Sequence, residues 1–229
     1  MSAAKSASRV IGVLILAQMV GSVLVNFVLT ASLFGEPGFL VNAATHSLQI
    51  ALSVPLGLAA HALPIAIAIT AFPFFRQHAS TLALWLIALA TVGLAVAAVE
   101  QMNVMSMLSL SEAYTQASAA ERAPFESLRI VVVSARNWSH FIVLIIGGSA
   151  NFVLYAALYR SALVPRALAS FGLAAASLQL VAVSMPLFGA SVVFVLLAPM
   201  GVSQLAVALW LVANGFRDPA THKVARRDG

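Results

Sequence analysis

Six stretches of this chain, at about residues 10–34, 47–75, 80–108, 128–159, 164–187 and 191–216, are predominantly apolar. Each is as long as the roughly 20 residues a helix needs to cross a ~30 Å hydrocarbon layer. Charged residues make up only 8% of the sequence and hydrophobic ones 62%, whereas a soluble domain carries roughly 25% charge. A soluble fold must keep a wet polar surface, so lipid is the solvent for most of this chain. The expected fold is all-α: a polytopic integral membrane protein with six transmembrane helices in one bundle over 1–229. Residues 217–229 then form a short basic cytoplasmic tail.

The breaks between spans make chemical sense. "GEPG" (35–38) parts spans 1 and 2, "FRQH" (75–78) parts 2 and 3, and "RSALVPR" (160–166) parts 4 and 5. Pro165 suits the opening of a helix, and "PLFGA" (186–190) is a tight turn. Lys5 and Arg9 precede an apolar run from Val10 to Phe34. A signal-peptide core is only about 7–15 residues long, so this run reads as a retained first span. Spans 2, 3 and 4 exceed the minimum and are expected to tilt or project. One sizeable loop is expected at about 109–127, with a capping-box pattern from Ser118 to Glu121.

Basic residues near span ends set orientation. With the N-terminus inside, the cytoplasmic side holds Lys5, Arg9, Arg76, Arg160, Arg166, Arg217, Lys223, Arg226 and Arg227, nine of the twelve. The other side has Arg122 and Arg129 among Glu36, Glu112, Glu121 and Glu126. Both termini are therefore expected in the cytoplasm. Arg166, at the inner interface, is expected to anchor the bundle by reaching lipid phosphates.

Several chemistries are excluded. There are no cysteines, hence no disulfide, thiolate or Cys-based metal site. The basic residues are scattered, so the net charge of +5 makes no nucleic-acid face. No H-E-x-x-H, G-x-S-x-G or phosphate-binding glycine loop occurs, and no span holds an aspartate. The expected partners are the lipid bilayer and a small-molecule or lipid ligand, with no nucleic acid.

Ionisable side chains inside a span cost roughly 2.5–3.5 kcal/mol each on insertion scales and normally face the bundle interior. On span 4, Arg129, Arg136, His140, Gly147 and Asn151 recur at helical spacing along one face. Gly147 is the expected point of close helix approach. On span 3, Glu100 and Asn103 share a face, and Glu100 is the only acid within any span. Counting 1.5 Å per residue puts Glu100 and His140 both about 30 Å above the inner boundary. Consecutive helices tend to be neighbours. An ion pair of Glu100 with Arg136, His140 bonded beside it, relieves both charges of an isolated burial. The candidate site is therefore Glu100, Asn103, Arg136, Asn137 and His140, with His61, Gln18, Asn26 and Asn151 as secondary contacts. Pro55 and Pro64 are expected to kink span 2.

No metal and no cofactor is expected. The alternative is a b-type haem held by His61 and His140, although His61 lies about 22 Å up against about 30 Å for His140. Two readings from different classes stand open. One is a helical bundle with an outward-facing polar pocket that binds or moves a small ligand. The other is an assembly or structural protein whose polar residues only fix helix packing. A haem-binding protein, or another redox or enzymatic role, is the third.

The stretches "HFIVLIIGGSANFVLYAALYRSALVPRALASFG" (140–172) and "APMGVSQLAVALWLVANGF" (198–216) resemble a bacterial membrane-protein family known as domain of unknown function 4386. The matching positions are His140, Gly147, Tyr155, Ser161, Val164, Pro165, Arg166, Leu168 and Gly172, then Pro199, Trp210, Leu211, Gly215 and Phe216. Gln204 stands where the family tends to carry an acid. The resemblance covers the C-terminal half and implies a six-helix protein of the bacterial inner membrane. It implies no activity.

Overall fold

The computed structural model describes residues 3–217. The remainder of the basic tail, with Lys223, Arg226 and Arg227, lies outside the described residues. Every regular element among them is helical. The α-helices are α1 (Ala3–Val23), α2 (Phe39–Thr45), α3 (Ser47–Gln116), α4 (Ala123–Ser161), α5 (Arg166–Ser184) and α6 (Ala198–Ala213). A π-helical stretch, Leu24–Leu29, continues α1. Five stretches are long and apolar enough to cross a membrane: Ala4–Leu29, Ser47–Gln116, Ala123–Ser161, Arg166–Phe188 and Phe194–Ala213. The chain is a membrane protein on that ground.

At 70 residues, α3 would be about 105 Å long if straight. It is not straight. Its dihedrals leave the helical region at Ala79 (φ −151°, ψ 46°), directly after the polar "FRQH". A Cβ at Gly57 would lie 3.1 Å from the Gln101 amide. A continuous helix would hold these two residues about 66 Å apart, so the limbs 47–78 and 80–116 double back on each other. Ala79 is the sole non-helical position within α3, so Pro55 and Pro64 do not break the helix.

The other boundaries shift outward from the apolar runs. The first helix begins at Ala3 rather than Val10, and the expected loop at 109–127 shrinks to 117–122 because α3 runs to Gln116 and α4 starts at Ala123. Hydropathy marks where lipid ends, whereas a helix stops only where its backbone bonds stop. In the short link that remains, the Glu121 carboxylate accepts from the Ser118 N–H at 3.1 Å and from its hydroxyl at 2.7 Å, the capping box read from the sequence.

The described residues divide into two compact units, one of residues 3–17, 63–92 and 144–217, the other of 18–62 and 93–143. In the first, small residues set the helix spacing. Ala169, Gly172, Ala175 and Ala176 are buried along α5. A Cβ at Gly12 of α1 would lie 2.7 Å from the Ala208 carbonyl of α6. Such close approach lets backbones pack where lipid supplies no hydrophobic drive between helices. The approach expected at Gly147 occurs one residue on: Gly147 meets nothing within 4 Å, whereas a Cβ at Gly148 would be 3.0 Å from Leu180. One residue turns the face by about 100°, enough to exchange lipid for protein.

In the second unit, Leu33, Phe39, Leu40, Ile50, Val104 and Met107 form a buried cluster. Ser111 ties α2 to the second limb of α3, accepting from the Ala44 N–H at 2.8 Å and donating to the Leu40 carbonyl at 2.9 Å. The π-helical turn is held by Thr30, which donates to Val25 O, and by Gln49, whose amide donates to Val28 O at 2.7 Å and Leu29 O at 3.1 Å. These bonds satisfy carbonyls that the helix end leaves open.

Candidate functional site

Three ionisable side chains of the second unit meet at one carboxylate oxygen. Arg136 and His140 lie one turn apart on α4, and Glu100 faces them from the second limb of α3. The Arg136 guanidinium donates to Glu100 Oε1 at 3.3 Å, and His140 Nδ1 donates to the same oxygen at 2.8 Å. Glu100 is 4% exposed and Arg136 7%, while the His140 side chain is 25% exposed. A tight charge-assisted N–H···O bond is about 2.7–2.9 Å long, so the histidine is the closer partner. The guanidinium lies 4.7 Å above the centre of the Phe34 ring, a cation–π contact that offsets part of its desolvation. Its Nε is buried without a hydrogen-bond partner.

A second layer of bonds fixes α4 against α3. Asn103, three residues after Glu100, donates to the Ala135 carbonyl at 3.2 Å and to Ser139 Oγ at 3.1 Å. Ser139 in turn donates to the Arg136 carbonyl at 2.8 Å. The structure thus brings together Glu100, Arg136 and His140, with Asn103 beside them. Asn137 is half-buried on the same turn of α4. Ser139, Phe34 and Gln101 belong to the surroundings but were not singled out in the sequence. Hydroxyls and aromatics are ordinary in apolar spans, so neither Ser139 nor Phe34 carries a hydropathy signal. Gln101 is 5% exposed and packs over Gly57, its Oε1 buried and unpartnered.

The secondary residues disperse. His61 donates through Nδ1 to the Gly57 carbonyl at 2.8 Å and lies within electrostatic range of Glu100. Asn26 donates to Ser22 O at 3.0 Å, and Gln18 is half-buried on α1. Asn151 belongs to the first unit. There it donates to Gln179 Oε1 at 3.4 Å and accepts from Gln204 at 3.3 Å, one turn from a Ser203–Tyr155 hydroxyl bond of 2.8 Å. Arg129, on the expected stripe, pairs instead with Glu126 at 3.3 Å on the surface. Arg166 is exposed at the start of α5, over the Tyr159 ring at 5.8 Å. Among the described residues, no three His, Asp or Glu side chains gather as a metal would need.

A groove of about 460 Å³ runs between the second limb of α3 and the start of α4. Its walls are Met105, Leu110, Ala113, Leu128 and Val132, with Ser106 and Ser109. The ionic cluster is not part of that lining; it lies about one to two turns further along both helices. The arrangement can therefore receive an apolar group, beside fixed hydrogen-bonding charge.

Comparison with known proteins gives one family. The model described as domain of unknown function (DUF4386) matches residues 10–215. No curated protein and no solved structure matches this chain.

Proposed function

This chain belongs to the DUF4386 family, and we propose that it is a six-span protein of the bacterial cytoplasmic membrane that binds a small amphiphile beside Glu100, Arg136 and His140. The fold-back of α3 at Ala79 supports six crossings, and the positive-inside count supports cytoplasmic termini. The observation that carries the ligand reading is the third member of the cluster. An ion pair alone would lock α3 to α4. His140 adds a titratable, partly exposed group at 2.8 Å, and Arg136 keeps a buried donor in reserve. The adjoining apolar groove gives an alkyl or ring moiety a place to lie.

A second reading, a lock between helices with no ligand, is favoured by the burial of Glu100 and Arg136. One experiment separates the two. The detergent-solubilised protein is heated with single-chain amphiphiles bearing carboxylate, ammonium or neutral heads. A ligand at about 100 times its Kd stabilises by about 2.7 kcal/mol, and Ser109→Trp, which fills the groove, should abolish that gain while leaving the unliganded Tm unchanged. A flat response to every head group would establish the lock. Reporter fusions to the C-terminus and within 117–120 should give opposite sides.

A further inference from the structure

The first compact unit holds six described cations, Lys5, Arg9, Arg76, Arg160, Arg166 and Arg217, and no acid among its described residues. The fold collects them at one end. Arg9 Nε donates to the Val212 carbonyl at 3.2 Å, bringing the start of α1 to the end of α6. A Cβ at Gly215 would lie 3.1 Å from Ser8 Oγ and 3.3 Å from Lys5 Cγ. The Arg217 N–H donates to Leu163 O at 2.8 Å, which ties the end of α6 to the turn between α4 and α5. Phe74, two residues before Arg76, packs its ring at a tilt against Phe216, centroids 5.1 Å apart.

Within this end, three arginines surround the turn at 160–166. Arg160 closes α4, Arg166 opens α5 and Arg217 is joined to the turn by its own backbone; all three are exposed. Two of them are held against rings, Arg166 over Tyr159 at 5.8 Å and Arg217 over Trp210 at 5.7 Å. A ring within cation–π range steadies the guanidinium, and the N–H edge of an exposed guanidinium matches two oxygens of a phosphate. The first turn of α5 adds backbone donors: Pro165 precedes it and no side chain caps it, so the helix end itself favours an anion. Tyr and Trp at this level are what a lipid headgroup region selects.

We propose that Arg160, Arg166 and Arg217 form a binding site for the phosphate of an anionic phospholipid. The site is separate from the Glu100 cluster and does not depend on its reading. It goes beyond a single anchoring arginine, because recognition comes from three exposed arginines brought to one interhelical turn rather than from diffuse attraction of a basic rim.

The test is lipid binding to the full-length protein in detergent, read by native mass spectrometry and thermal shift, with phosphatidylglycerol, phosphatidylcholine and glycerol 1-phosphate as probes. Phosphatidylglycerol should bind and phosphatidylcholine should not. The double variant Arg166→Gln/Arg217→Gln should bind phosphatidylglycerol about thirtyfold more weakly. Lys5→Gln/Arg76→Gln removes the same charge from the same end and should change binding less than about threefold. Arg166→Lys/Arg217→Lys should fall between, since lysine keeps charge without the fork. Equal losses in the two glutamine variants would overturn the site in favour of diffuse charge. Equal protection by glycerol 1-phosphate would overturn the lipid as its ligand and point to a soluble phosphate.

Discussion

In one compact unit, the buried Glu100 and Arg136 meet the partly exposed His140 as charged or chargeable groups; in the other, Asn151, Gln179 and Gln204 meet as neutral amides beside a tyrosine–serine bond. Both join helices across apolar surroundings, but the consequences differ. A neutral amide that loses its partner can turn to a backbone carbonyl, and such bonds average only about 0.6 kcal/mol. A buried carboxylate that loses its arginine keeps its charge in low-dielectric surroundings, with only His140 left bonded to it. The unit with the buried ionic cluster is bound by interdependence, and the unit with the buried amide cluster by close packing around glycine and alanine.

The sharpest way to break this contrast is a double-mutant cycle on the charged cluster. Arg136→Gln leaves the Glu100 carboxylate bonded to His140 alone and should cost about 3 kcal/mol of folding stability in detergent, at the low end of what breaking a buried ion pair costs. Adding Glu100→Gln to it should restore part of that loss. Strictly additive losses would mean the two groups do not share a charge.

The next largest effect is expected in the unit with the amide cluster, at a packing position. A Cβ at Gly172 would overlap the Tyr155 ring, so Gly172→Ala should displace the ring, weaken its bond to Ser203 and cost about 1–3 kcal/mol. Gly147→Ala, where the added methyl meets open space, should leave stability unchanged or raise it slightly, since alanine favours the helix. Equal effects of the two changes on thermal stability would refute the packing account.

The smallest effect concerns an exposed acid in the unit that buries Glu100. The Ser118 hydroxyl and backbone N–H hold the Glu121 carboxyl below its ordinary range. A depressed carboxyl contributes stability above its unfolded-state pKa and loses it as pH falls through the folded value. Ser118→Ala should therefore move the Glu121 titration, followed by NMR, upward toward the usual carboxylate range. No shift on substitution would remove the capping box as its cause.

Much of the architecture is legible in the residues. Apolar runs and polar breaks locate the long helices because insertion into lipid is decided locally, segment by segment. Helical spacing puts Arg136 and His140 on one face, and counting rise per residue brings Glu100 to their level. The helix ends were less legible, since Lys5, Arg9 and residues 109–116 continue helices beyond the apolar runs.

What the sequence by itself determined is the solvent, the helical class and the identity of the single acid within the apolar runs. These follow from hydropathy and from a period that every helix shares. The tertiary structure alone decided the partners beyond the Glu100, Arg136 and His140 grouping. It placed Phe34 under Arg136, Ser139 between Asn103 and the Arg136 carbonyl, and Asn151 with Gln179 and Gln204, in the other unit from Glu100. It chose Gly148 over Gly147 for close approach and gathered the basic ends of α1, α4, α5 and α6. Those outcomes depend on rotation of each helix about its own axis, and that angle is set by the packing of neighbours distant in the chain.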